Sequence, residues 1–146
     1  MSENSNKPNV LFWVIGVLAL IWNGMGVDAY LQQAYQTDRF YEMFKDSPEL
    51  LNLAIDSPYW STAIFAIAVF SSIFACILLL LRKKLAVTLF FIGLLAVLIQ
   101  TINGLFITGE TQYYTAFNYS MLLMIPLFAV FLYVYAKKTR ANGWLS

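Results

Sequence analysis

The stretch VLFWVIGVLALIWNGMGVDAY, Val10 to Tyr30, decides the fold class. Its first half, Val10–Leu20, is an unbroken apolar run. A membrane-crossing helix needs about 20 such residues, at 1.5 Å each, to pass about 30 Å of hydrocarbon. The run reaches that length only if Asn23, Gly24 and Gly26 lie within it, with Asp28 near its end. The segment therefore reads as a span whose second half does more than anchor the chain.

The rest of the 146-residue chain follows the same pattern. Hydrophobic residues make up 60%, aromatics 17% and charged residues only 12%, with a mean hydropathy of +0.67; globular proteins carry about 25% charged residues. The charges bunch between apolar runs. The expectation is a single all-α membrane domain: a four-helix bundle with spans near 9–31, 58–81, 85–107 and 115–136.

Nine Lys and Arg balance eight Asp and Glu, so no polybasic surface points to nucleic acid. There is no histidine, and Cys76 is the lone cysteine. A Ser-His-Asp triad, a Cys/His metal site and an intrachain disulfide are excluded within this sequence. No enzyme, metal or cofactor is expected.

Orientation follows from the basic residues. Lys7, Arg82-Lys83-Lys84, Lys137, Lys138 and Arg140 flank one side of the spans, against Arg39 and Lys45 on the other. The positive-inside rule puts both termini in the cytoplasm, with the multi-pass chain in the inner membrane. The opposite loops hold the acids: Asp38, Glu42, Asp46, Glu49, Asp56 and Glu110. So strong a bias argues against dual topology. A cleavable signal peptide is the rival reading of the N-terminus, with Val27-Asp28-Ala29 at cleavage-like spacing. Only Lys7 precedes the apolar run, however, and an uncleaved span is expected.

The outer loop, 36–57, carries its own start signal. Ser47-Pro48-Glu49 supplies a cap residue, a proline at the first helical position and an acid in the first turn. Leu50–Ile55 then gives the apolar face of a short interfacial helix. Tyr and Trp residues cluster at both predicted membrane surfaces, as an aromatic belt does. A further pattern joins Ile15–Gly24 to Ile92–Gly104: IGVLALIWNG against IGLLAVLIQTING. It suggests two helical hairpins in a parallel repeat, or convergent membrane composition.

Polar residues within the spans are lopsided. Asn23, Gln100, Asn103 and Asn118 all fall in the outer half, and Asp28 about 7–8 Å beyond Asn23. Ala96, Gln100 and Asn103 share a helix face, as do Ala68, Ser72 and Cys76; Gly24 and Gly26 permit close approach in the first span. Two readings stand side by side. The amides bond neighbouring helices together, or they bound a polar recess open to the outside that contacts a solute. Asp28 either titrates there or is solvated at the headgroup level. Pro126 removes a backbone donor and is expected to kink the fourth span.

The segments IWNGMGVDAYLQQAYQTD (Ile21–Asp38), PYWSTAIFAIAVF (Pro58–Phe70), LLLRKK (Leu79–Lys84) and GWLS (Gly143–Ser146) carry a resemblance. Together they resemble a family of small four-span bacterial membrane proteins, frequent in Bacteroidetes-type genomes and labelled sugar transporters. The resemblance implies transport of a sugar or other small polar solute, with a homo-oligomer or another membrane protein as partner. The small-residue stripe of the second span would serve self-association. The alternative is a non-transporting accessory or assembly subunit.

Overall fold

A computed structural model of the chain describes residues 7–146, so Met1–Asn6 lie outside the account that follows. Every regular element among the described residues is helical: α1 (Val10–Tyr35), α2 (Asp38–Met43), α3 (Pro48–Ile55), α4 (Tyr59–Leu80), α5 (Leu85–Ile102) and α6 (Ala116–Ala141). A π-helical turn, Asn103–Ile107, extends α5, and a 3₁₀ turn, Glu110–Tyr113, follows it. The stretches Val10–Tyr35, Tyr59–Leu80, Leu85–Ile107 and Ala116–Ala141 are each long and apolar enough to cross a membrane. The expected four-helix membrane bundle is thus the fold. Two spans outrun their sequence-based limits, α1 by four residues and α6 by five, because charged and polar side chains continue a helix beyond the hydrocarbon.

Local chemistry sets the boundaries. Asn9 accepts the Phe12 N–H at 2.9 Å and starts α1. At its far end Gln36 adopts a left-handed conformation (φ 47°), with Gln36 N–H bonded to Gln33 O and Thr37 N–H to Gln32 O. This is the Schellman arrangement. It recurs at Arg82 (φ 61°) after α4 and at Gly143 (φ 80°) after α6. Helix α3 begins at Pro48 as the start signal requires, although Ser47 makes no side-chain cap bond. Helix α2 has no counterpart in the sequence reading; Thr37 caps it by accepting the Phe40 N–H, and Phe40 is buried.

Helix α4 is the hub. It packs along α5 on one side and against α1 on the other, while α5 also holds α6. Two glycines make these approaches close. A Cβ on Gly93 would stand 2.5 Å from Ser72 Oγ and 3.5 Å from the Ala68 carbonyl; one on Gly16 would stand 2.5 Å from Leu80 Cδ2. The Ala68–Ser72–Cys76 stripe is therefore occupied inside the chain, by Gly93 of α5 and Asn23 of α1. It is not a free surface for a second copy. Gly24 and Gly26 face Ile73 and Val69 of α4 at ordinary contact distances. Both members of the supposed repeat thus turn their glycine and their asparagine toward α4, Gly93 and Asn103 included. They line one helix from two sides, while α1 with α4 and α5 with α6 each pack as a hairpin of consecutive spans.

Packing is concentrated at the end of the bundle that bears both termini. The core there unites Phe12, Ala19, Ala75, Cys76, Leu79, Ala86, Val87, Phe90, Leu132, Ala136 and Leu145. Beyond Gly143 the chain turns back beneath the bundle. Arg82 Nε donates to Trp144 O at 2.8 Å, Ser146 N–H donates to Arg82 O at 2.8 Å, and Trp144 packs edge-to-face on Phe12. These bonds hold the 82–84 turn, with its left-handed Arg82, to the tail. Toward the loop end the buried residues of the spans lie at the α4–α5 contact, at Ala68, Gly93, Leu94, Ala96 and Asn103, while α1 meets α4 through Tyr30, edge-to-face with Phe65 and Phe70. Helices α1 and α6 bury residues only in their terminal halves: Phe12, Gly16 and Ala19, and Leu132, Ala136 and Thr139. Pro126 lies inside α6, six residues before its first buried residue, Leu132, and withdraws the N–H that would bond Leu122 O. The outward band of Leu, Val, Ile and Phe suits a hydrocarbon surrounding.

Candidate functional site

At the loop end of the α4–α5 pair, polar side chains converge. Ser61, in the first turn of α4, is buried and meets two residues of α5. Gln100 Nε2 donates to Ser61 O at 2.6 Å, and Ser61 Oγ donates to Gln100 Oε1 at 3.2 Å. Asn103 Nδ2 donates to Ser61 Oγ at 3.4 Å. Gln100 and Asn103 share a face at the expected spacing, and that face meets α4.

At Asn103 the α-helix widens. Its carbonyl accepts the Thr108 N–H at 3.0 Å, five residues on, closing a π-helical turn. Such turns are rare and recur at functional sites. Gly109 (φ 68°) then reverses the chain, and Glu110 folds back across Gly104. A Cβ at Gly104 would lie 2.5 Å from Glu110 Oε1, so the glycine is what admits the carboxylate. Glu110 Oε1 also accepts the Tyr114 hydroxyl at 2.6 Å. Partial burial, and then the neighbouring carboxylate, hold the Tyr114 phenol well above its ordinary pKa, so it stays a donor. The result is two polar groupings on either side of the π-helical turn: Gln100 and Asn103 on Ser61, and Glu110 on Tyr114 over Gly104, with α3 packed on the Glu110–Tyr113 turn.

The other residues singled out from the sequence lie elsewhere. Asn23 donates to Ala19 O at 2.9 Å and to Cys76 Sγ at 3.3 Å, across the α1–α4 interface. Asp28 is half-exposed (47%) and pairs with Arg39 at 3.0 Å, with Gln32 Nε2 donating to its second oxygen. It ties α1 to α2 at the loop end through that ion pair. Asn118 is a capping residue: its Oδ1 accepts both the Thr115 N–H (3.0 Å) and the Thr115 hydroxyl (2.9 Å). The five residues expected around one recess therefore do not converge; only Gln100 and Asn103 do. Replacing Asn118 with Ala should cost the ~1 kcal/mol of a lost cap and leave any ligand response unchanged, as thermal unfolding with and without ligand would show.

Ser61 completes that cluster, and Glu110 with Tyr114 forms a second pair over Gly104. Glu110 reads in the sequence as one more loop acid. The signal that places it is the pair Gly104 and Gly109, which lets the chain double back on itself. Among the described residues no group of three His, Cys, Asp or Glu could hold a metal, and Cys76 is buried. The arrangement offers hydrogen-bond acceptors and donors but no nucleophile beside a base. At mid-membrane depth, the concave feature between α1 and α6, of about 310 Å³, is apolar throughout. It is not the polar recess that the sequence suggests.

No protein-family model matches the chain, nor does any curated protein or solved structure. The comparisons therefore do not bear on the transporter resemblance.

Proposed function

We propose that the protein is a small multi-pass inner-membrane protein of transport type, with its loop end facing outward, that recognises a small polar solute there. Seven of nine basic residues sit at the terminal end, which supports cytoplasmic termini. The observation that carries the reading is the π-helical turn at Asn103. It leads into the reversal that lays the Glu110 carboxylate over Gly104 and against the Tyr114 hydroxyl, with Asn103 the residue next to Gly104 in the chain. A carboxylate with amide donors and an aromatic hydroxyl suits a polyhydroxylated, sugar-like solute, since a few placed polar groups fix orientation in such sites. A single chain encloses no polar path, so passage across the membrane would require self-association.

Thermal unfolding in detergent with a panel of neutral sugars and polyols tests this. A true ligand at a hundred times its Kd stabilises by about 2.7 kcal/mol. Glu110→Gln should abolish that response and Glu49→Gln, on α3, should preserve it. If no solute raises Tm, recognition at this site is wrong.

A second reading, an accessory subunit gripping another membrane protein, is favoured by one observation. Among the described residues no buried side-chain N or O lacks a partner, and the deep amides bond to α1 or α4. Purification at native levels with a stoichiometric membrane partner, and no ligand response, would select it.

A further inference from the structure

The furrow between α1 and α6 is bridged on its loop side by a pair of rings. Ala19 and Leu132, both buried, form its floor; Ile15, Leu18 and Phe131 form its walls. Toward the loop end it stops where Trp22 and Phe128 meet edge-to-face with ring centroids 4.8 Å apart. One helical turn toward the terminal end stand Leu11, which is exposed, and Tyr135, which stacks on Phe131 at 5.9 Å.

From the start of α1 at Val10 to the Trp22–Phe128 bridge is twelve residues, or about 18 Å of helix. That approximates one leaflet, half of about 30 Å of hydrocarbon. A transmembrane helix of a partner would have to continue past the bridge, whereas a single acyl chain ends there. At the terminal end stand exposed cations. Lys138 lies seven residues beyond Phe131 on the same face of α6, and Lys7 lies just ahead of α1. Apolar walls of one-leaflet length beneath a cationic rim match an anionic phospholipid of the leaflet on the terminal side.

We infer that the α1–α6 furrow is a lipid site, holding one acyl chain of an anionic phospholipid whose phosphate meets Lys7 and Lys138. It fills the space that the side-chain contacts of α1 with α6 leave open. The site is separate from the loop-end cluster and does not depend on the proposed solute.

Native mass spectrometry of the full chain, taken from nanodiscs of equal phosphatidylglycerol and phosphatidylethanolamine, tests it. The wild type should retain one phosphatidylglycerol in at least fivefold preference. Ala19→Phe, which fills the floor, should lower total lipid retention at least fivefold. Lys7→Glu with Lys138→Glu, both at exposed positions, should abolish the preference while leaving the fold intact. Should Ala19→Phe fail to fold, Leu18→Asn on the exposed wall replaces it, with the same expected loss. No retained lipid, equal retention of the two lipids, or unchanged retention in the variants would overturn the assignment. So would a dimer dissociated by the Leu18 or Ala19 substitution, which would place a second copy in the furrow.

Discussion

Replacing Leu145 with Ala should destabilise the protein by about 2–5 kcal/mol, the range for emptying a buried leucine position. Leu145 is 3% exposed and Phe12 beside Trp144 is fully buried, although both belong to the water-facing end of the bundle. That location matters. Between helices in lipid, apolar burial brings no transfer gain, because the surrounding chains are as apolar as leucine. Beneath the bundle, a detached tail would expose Leu145 and Trp144 to water or headgroups, so transfer and packing terms add. The tail also holds the turn at Arg82, where a non-glycine residue keeps a left-handed backbone. Removing 143–146 should therefore cost more than Leu145→Ala alone, and should loosen the α4–α5 turn. Thermal unfolding in detergent measures both. A Leu145→Ala protein within about 0.5 kcal/mol of wild type, a surface-like effect, would mean that the tail is not part of the core.

Gly93→Leu should be comparably damaging, at or above the top of the ~1–3 kcal/mol range for overpacking. The first atom of the new side chain already collides with Ser72 Oγ, and the Ala68 carbonyl and Ser72 amide stand behind it at 3.5 and 3.6 Å. Serine can turn its hydroxyl aside; backbone cannot. Gly93→Ala should thus be milder, and Ser72→Ala should recover part of its cost, giving a measurable coupling in a double-mutant cycle. Forcing α4 and α5 apart would also stretch the Gln100–Ser61 bonds two turns away. The same variant should therefore weaken whatever the loop-end cluster binds. Equal stability of Gly93→Leu and wild type would contradict the close approach of these helices.

The spans were legible in the sequence because lipid demands continuous apolar runs, and nothing subtler is needed to see them. The interfacial helix at Pro48–Ile55 was legible from Ser47-Pro48-Glu49. Helix α2 was not, since six residues give no periodicity and Thr37 is a modest cap signal. Neighbour choice was hidden as well. Gly16 and Gly93 are ordinary membrane glycines in the sequence, and only their azimuth reveals that both press on α4. The site was half legible: spacing paired Gln100 with Asn103, but gave no signal for their partner Ser61. Depth alone then misgrouped Asn118, whose T-x-x-N cap with Thr115 resembles a buried amide when only hydropathy is read. Glu110 escaped because its placement depends on a π-helical turn, which has no sequence signature beyond the glycines around it.

Pro126 has a further consequence. On its C-terminal side α6 is bolted to the core by Leu132, Ala136 and Thr139; on the other side it buries nothing and lacks one rung of its own ladder. Stability in such a molecule is not shared evenly. Amide exchange in α6 should therefore be faster before Pro126 than after it, where the core and the clasp around Arg82 hold the helix, and equal rates on the two sides would contradict this. Faster exchange before Pro126 would divide the molecule into a firm terminal end and a softer loop end, with the proline at the border.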